Sequence, residues 1–175
     1  MAVLNFEFKA RAEDIGALEK KLLALDPLFI GEDLQVDTYF NVNNGRLKLR
    51  EGNIENALIW YERKNEAEAK VSKVLLYQHS PDPTLKTMLI KVLGIKVVVE
   101  KKRKIYFIGN VKFHFDVVPG LGTFVEVEAI DRTGEIGIQQ LQQDCEKYAA
   151  LFNIQPTDYI SCSYSDMIKM PSSWY

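Results

Sequence analysis

The chain is poor in the residues that would announce its chemistry directly. It has only two cysteines, Cys145 and Cys162, and their separation matches no metal-ligand spacing. Neither a disulfide framework nor a cysteine-held metal is expected, and reduced thiols fit a cytoplasmic protein. A lone histidine such as His114 is a weak basis for a metal centre. No apolar run is long enough to cross a membrane. The stretch Met1-Ala2-Val3-Leu4-Asn5 lacks the basic-then-apolar order of a signal peptide. The formal net charge is −2, so no global basic field attracts nucleic acid, and any positive site must be local. There is no basic helix and no ladder of aromatics on a basic strand, which also argues against nucleic acid. Linkers, internal repeats and low-complexity segments are missing too, so residues 1–175 are expected to form a single domain.

What is present is a succession of alternating segments. Val3 to Arg11 reads as a strand with Asn5, Glu7, Lys9 and Arg11 on one face and Leu4, Phe6 and Phe8 on the other. Asp14 to Leu25 has helical spacing and ends before Pro27. Gln35 to Asn41 reads as a strand, Asn43-Asn44-Gly45 as a hairpin turn, and Arg46 to Glu51 as the returning strand. Further strands are predicted over Ala57 to Lys64, Val71 to Gln78, Ile95 to Ile108, Val111 to Val118 and the segment holding Glu126 and Glu128. Helices are predicted from an opening at Ser80-Pro81-Asp82-Pro83 to Gly94, from Gly134 to Phe152, and as a short tail over Ser161 to Met170. About eight strands joined mostly by hairpins imply an α+β fold: a closed eight-stranded antiparallel β-barrel with helices packed outside.

The charges follow the strands. In Thr123-Phe124-Val125-Glu126-Val127-Glu128 the valines take the core side and both glutamates share the other face. Like charges crowded together repel, so something positive belongs between them. Arg46, Lys48 and Arg50 share a face, as do Lys101 and Arg103, and as do His114 and Asp116. On one strand this pattern describes any solvated face. On several strands at once, with their charged faces turned inward, it describes a polar tunnel. Buried charges must be paired or bind something. Lysine and arginine neutralise phosphate oxygens, and carboxylates hold Mg²⁺ or Mn²⁺ that bridges to the same phosphates.

The chain resembles the CYTH proteins, the triphosphate tunnel metalloenzymes, and within them the class IV adenylate cyclase branch. The resemblance rests on Asn5-Phe6-Glu7-Phe8-Lys9, Gln35-Val36-Asp37-Thr38-Tyr39-Phe40, Arg46-Leu47-Lys48-Leu49-Arg50, Trp60-Tyr61-Glu62-Arg63, Glu100-Lys101-Lys102-Arg103, and the run from His114 to Glu128, with Tyr164-Ser165-Asp166 as a closing segment. It implies that Lys48, Arg50, Arg63, Lys101 and Arg103 hold a triphosphate. It further implies that Glu7, Asp116, Glu126 and Glu128 bind or support Mg²⁺ or Mn²⁺, and that Lys9 sits beside the reacting phosphate as ligand or base. One departure is visible: the family opens with Glu-x-Glu-x-Lys, and its first glutamate is Asn5 here.

Three activities fit this resemblance: cyclisation of ATP to cyclic AMP and pyrophosphate, hydrolysis of inorganic or thiamine triphosphate, and binding of a triphosphate without turnover. The expected partner is a small-molecule triphosphate. Pairing of two tunnels into a homodimer stays open.

Overall fold

The computed structural model describes residues 3–62 and 70–168. Among these residues eight strands, β1 (Val3–Arg11), β2 (Leu28–Phe40), β3 (Arg46–Glu51), β4 (Ala57–Glu62), β5 (Lys70–Gln78), β6 (Ile95–Ile108), β7 (Val111–Val118) and β8 (Gly122–Asp131), are interspersed with four helices, α1 (Ile15–Leu23), α2 (Pro83–Leu93), α3 (Ile138–Phe152) and α4 (Tyr164–Met167). The strands form one curled antiparallel sheet in the order β1-β5-β4-β3-β2-β6-β7-β8. β8 pairs back with β1 from Leu4↔Asp131 to Arg11↔Phe124, so the ladder returns to its starting strand.

Period-two alternation then sorts the side chains. Phe6, Phe8 and Ala10 of β1, Phe113 and Phe115 of β7, and Val125, Val127 and Ala129 of β8 face outward. They pack under Leu141, Cys145, Tyr148 and Phe152 of α3 and Leu22 of α1. The opposite faces turn inward. There a second cluster, Tyr39, Ala57, Ile59, Tyr61, Val97, Val99, Val118 and Phe124, fills part of the interior with apolar surface. Tyr164 of α4 belongs to this inner cluster and meets the Phe124 ring at 5.0 Å. The expectation that every helix packs outside therefore fails at α4, because a buried aromatic side chain draws the short helix inward.

Element boundaries differ from the sequence-based expectation where polar caps intervene. Asp14 is the N-cap of α1 and accepts the Ala17 N–H at 2.9 Å. α3 begins at Ile138 rather than Gly134 because the Asp131 carboxylate collects the N–H groups of Thr133, Gly134, Ile136 and Gly137. That network holds the approach to the helix as a loop. β2 starts at Leu28, seven residues before the expected Gln35, since the 14-residue β6 offers pairing partners as far as Phe107. The β2–β3 turn needs Gly45 at φ +67°, where a side chain would also meet Trp60 and the Tyr61 carbonyl at 2.9 Å.

Candidate functional site: a charged interior

Three cations converge on one carboxylate. Asp37 accepts from Lys48 Nζ at 2.9 Å, from Arg50 Nε and Nη2 at 2.9 and 3.0 Å, and from Lys101 Nζ at 2.7 Å. The Asp37 side chain is 1% exposed. Burial alone would raise its pKa, but Arg50, Lys101 and Lys48 overrule burial and hold it well below the usual carboxylate range. Lys101 moves the opposite way. It is pulled well below the usual lysine range by burial and by Arg50, Arg103 and Lys48, against the pull of Asp37.

A second group lies along β6, β7 and β8. Arg103 grips Asp116 with two bonds of 2.6 and 2.5 Å and reaches Glu126 at 2.6 Å. Lys9 Nζ lies 2.7 Å from the other Glu126 oxygen and 3.7 Å above the Tyr164 ring. Tyr164 donates its hydroxyl to Asp116 at 2.7 Å. His114 Nδ1 stands 3.1 Å from Glu126, while its Nε2 is buried without a partner. Burial, Arg103 and Lys112 push the His114 pKa down to about 4, against Glu126.

A third group occupies the remaining interior. Asn5 donates to Glu128 at 2.6 Å, and its Oδ1 is buried without a partner. Glu7 lies between Asn5 and Lys9 on the same face of β1, in register with Glu128. Glu55, on the β3–β4 connection, accepts from Arg50 and from Gln35 at 3.0 Å each and also pairs with Lys112. At the opposite end Arg46 bonds Ser163 and Asp166 at 2.9 Å. Beside Arg46 opens a cavity of about 170 Å³ whose lining includes Tyr39, Asn41, Lys96 and Ser165.

Of the residues singled out from sequence, Lys48, Arg50 and Lys101 meet at Asp37, and Lys9, Arg103, Asp116 and Glu126 form one ion-paired group. Glu7 and Glu128 lie together on neighbouring strands. Arg63 falls outside the described residues. Sequence reasoning named no role for Asp33, Gln35, Asp37, Glu55, Lys112 or Tyr164. Asp33 and Gln35 share the period-two face of Asp37, so earlier recognition of β2 would have exposed them. Glu55 sits on a turn and carries no periodic signal.

The donor set discriminates between two places for a divalent cation. Asp116 and Glu126 already hold Arg103, Lys9, His114 and Tyr164, so their oxygens are committed. Among the described residues Asn5 Oδ1 is a buried hard oxygen without a partner next to Glu128, the kind of ligand atom that Mg²⁺ and Mn²⁺ take. Among the described residues no three His, Cys, Asp or Glu side chains converge as a metal-holding group.

An eight-stranded antiparallel sheet curled so that its inner face gathers ion-paired side chains is the frame of the site. The CYTH domain model matches residues 4–161, and the chain belongs to that family. Among solved structures, the PH1012 protein of Pyrococcus horikoshii is 24% identical with a TM-score of 0.79, covering 97% of this chain and 100% of that one. An adenylate cyclase candidate from Vibrio parahaemolyticus is 18% identical with a TM-score of 0.75, covering 95% and 98%. HpAC1 from Hippeastrum, an adenylyl cyclase candidate described as having a dominant triphosphatase activity, is 14% identical with a TM-score of 0.59, covering 92% and 91%. At these identities the likeness concerns the fold. A search of curated proteins gave no match.

Proposed function

We propose that the interior binds the triphosphate of a small molecule and, with a divalent cation, catalyses its reaction. One observation carries this reading. Around Asp33, Asp37 and Glu55, three carboxylates stand among four basic side chains: Lys48, Arg50, Lys101 and Lys112. Buried positive charge in excess is costly unless an anion joins it. A triphosphate carries enough negative charge, spread along its length, to do so. Arg50, Lys48 and Lys101 would grip it from β3 and β6, with Arg103 and Lys9 at its flank. Arg63 is proposed for the same role from the family pattern. Lys9 fits the phosphate-ligand role, paired with Glu126 and lying over the Tyr164 ring.

Asn5, Glu7 and Glu128 would hold Mg²⁺ or Mn²⁺, with Asp116 and Glu126 supporting from behind through Arg103 and Lys9. The metal would supply Lewis-acid polarisation of a phosphoryl oxygen. The leading reaction is cyclisation of ATP. The ribose 3′-oxygen bonds to the α-phosphorus, the bond to the β-phosphate oxygen breaks, pyrophosphate leaves and the hydroxyl proton passes to solvent. In this reading the base would take the cavity beside Tyr39 and Arg46. The second reading is hydrolysis of inorganic or thiamine triphosphate, which draws on the same cation excess and needs no base pocket.

Phosphorus NMR of reactions with ATP and with inorganic triphosphate, each with Mg²⁺ or Mn²⁺, tests these readings. Cyclic AMP with pyrophosphate establishes the cyclase. Orthophosphate from triphosphate, with ATP intact, establishes the hydrolase. Neither product, together with no binding of triphosphate, refutes the proposal.

A further inference from the structure

Most interior carboxylates stand on strands: Asp33 and Asp37 on β2, Asp116 on β7, Glu126 and Glu128 on β8. Glu55 instead projects from the β3–β4 connection, and its side chain remains 25% exposed, the value of a group at a mouth rather than in a core. Its carboxylate spans the Arg50 guanidinium and the Lys112 ammonium, as a phosphate oxygen pair would. Burial would raise its pKa, but Lys112, Arg50 and His114 hold it far below the carboxylate range, so an anion is strongly favoured at this point.

The backbone beneath Glu55 is fixed. Asp33, fully buried, accepts the N–H groups of Ile54 and Glu55 at 2.9 and 3.0 Å. Gly52 lies so close that a Cβ there would stand 2.5 Å from the Asp33 carboxylate. The Glu55 side chain, by contrast, is held by its contacts with Arg50, Gln35 and Lys112.

We propose that Lys112 is a further phosphate-binding residue held in reserve by Glu55, and that a polyphosphate enters by taking the place of the Glu55 carboxylate on Lys112 and Arg50. This rests on the triphosphate reading above. The exchange is anion for anion, so neither cation is left buried and unpaired at any stage.

The test is calorimetric titration of inorganic triphosphate into the wild-type chain, Glu55→Gln and Lys112→Met, each with Mg²⁺ and with chelator. Removing the internal competitor should tighten binding by about ten- to a hundredfold, and removing Lys112 should weaken it by a similar factor, since a charge-assisted bond is worth roughly 1.5–3 kcal/mol. In wild-type protein carrying ¹³C-labelled glutamate, the Glu55 carboxyl resonance should move as triphosphate is added. This arm needs no variant to fold. Binding by wild type with an unmoved Glu55 resonance, or with Glu55→Gln binding equally or more weakly, overturns the exchange while the triphosphate reading stands. Absence of binding by wild type and Glu55→Gln alike overturns both.

Discussion

Replacing Asp37 by Asn tests the cation excess directly. The substitution keeps the side chain's shape and removes the single charge that Lys48, Arg50 and Lys101 share. Removing one partner of a buried ion pair costs roughly 3–5 kcal/mol, because the other charge is left uncompensated. Each kcal/mol lowers Tm by about 2–4 °C in a domain of this length, so a fall of roughly 6–20 °C is expected. An added polyanion should restore the loss, since the three cations then have a partner again. At a ligand concentration of about 100 times Kd the gain is about 2.7 kcal/mol, and the variant should gain more than wild type. Thermal melts at pH 7, with and without inorganic triphosphate, measure both effects. The pH dependence follows from the direction of the Asp37 shift. A folded pKa below the unfolded value gives stability that is complete above about pH 4 and is lost as the pH falls through the folded pKa. Part of that acid-side loss should be missing in Asp37→Asn. A variant as stable as wild type, or one that triphosphate fails to raise further than wild type, would refute the reasoning.

Other outcomes are expected from the same geometry. His114 has a folded pKa near 4 against about 6.5 unfolded, so its contribution is full above pH 6.5 and falls away between pH 6.5 and 4. The loss amounts to about 3 kcal/mol, and His114→Gln should flatten urea-derived stability over that window; an unchanged slope would remove His114 from the account. Gly52→Ala forces a methyl group against Asp33 and should cost about 1–3 kcal/mol in urea unfolding, while a loss within about 0.5 kcal/mol would mean that the connection can shift. Glu128→Gln should lower Mg²⁺ affinity and metal-dependent turnover with little change in Tm, unlike Glu126→Gln, which also breaks the Lys9 and Arg103 pairs; equal metal binding by Glu128→Gln and wild type would displace the metal from this end. Asn5→Glu sets a third carboxylate beside Glu7 and Glu128, so it should lower Tm without metal and regain the loss when Mg²⁺ is added, and indifference to Mg²⁺ would show that Asn5 does not face the metal.

The inner and outer faces of β1, β7 and β8 were legible from alternation alone. Phe6 and Phe8, Phe113 and Phe115, and Val125 and Val127 could only be core, and that sent Glu7, Lys9, His114, Asp116 and Glu126 to the other side. The resemblance carried by Asn5 to Lys9, Arg46 to Arg50 and His114 to Glu128 agrees with the family match over residues 4–161. Less was legible where pairing depends on a distant partner. The first half of β2 has no alternating pattern, and only the reach of β6 makes Leu28 to Leu34 a strand.

What the sequence determined by itself is the face on which the residues of β1, β7 and β8 lie, because side-chain direction is a local property of an extended chain. What the tertiary structure decided is which charges meet. Strands far apart in sequence bring Asp37 to Lys101, Arg103 to Glu126 and Glu55 to Lys112, and a short C-terminal helix inserts Tyr164 between Lys9 and Asp116. Coulombic pairing depends on distance in space and on the loss of water around the pair, and neither quantity is written in the order of residues along a chain.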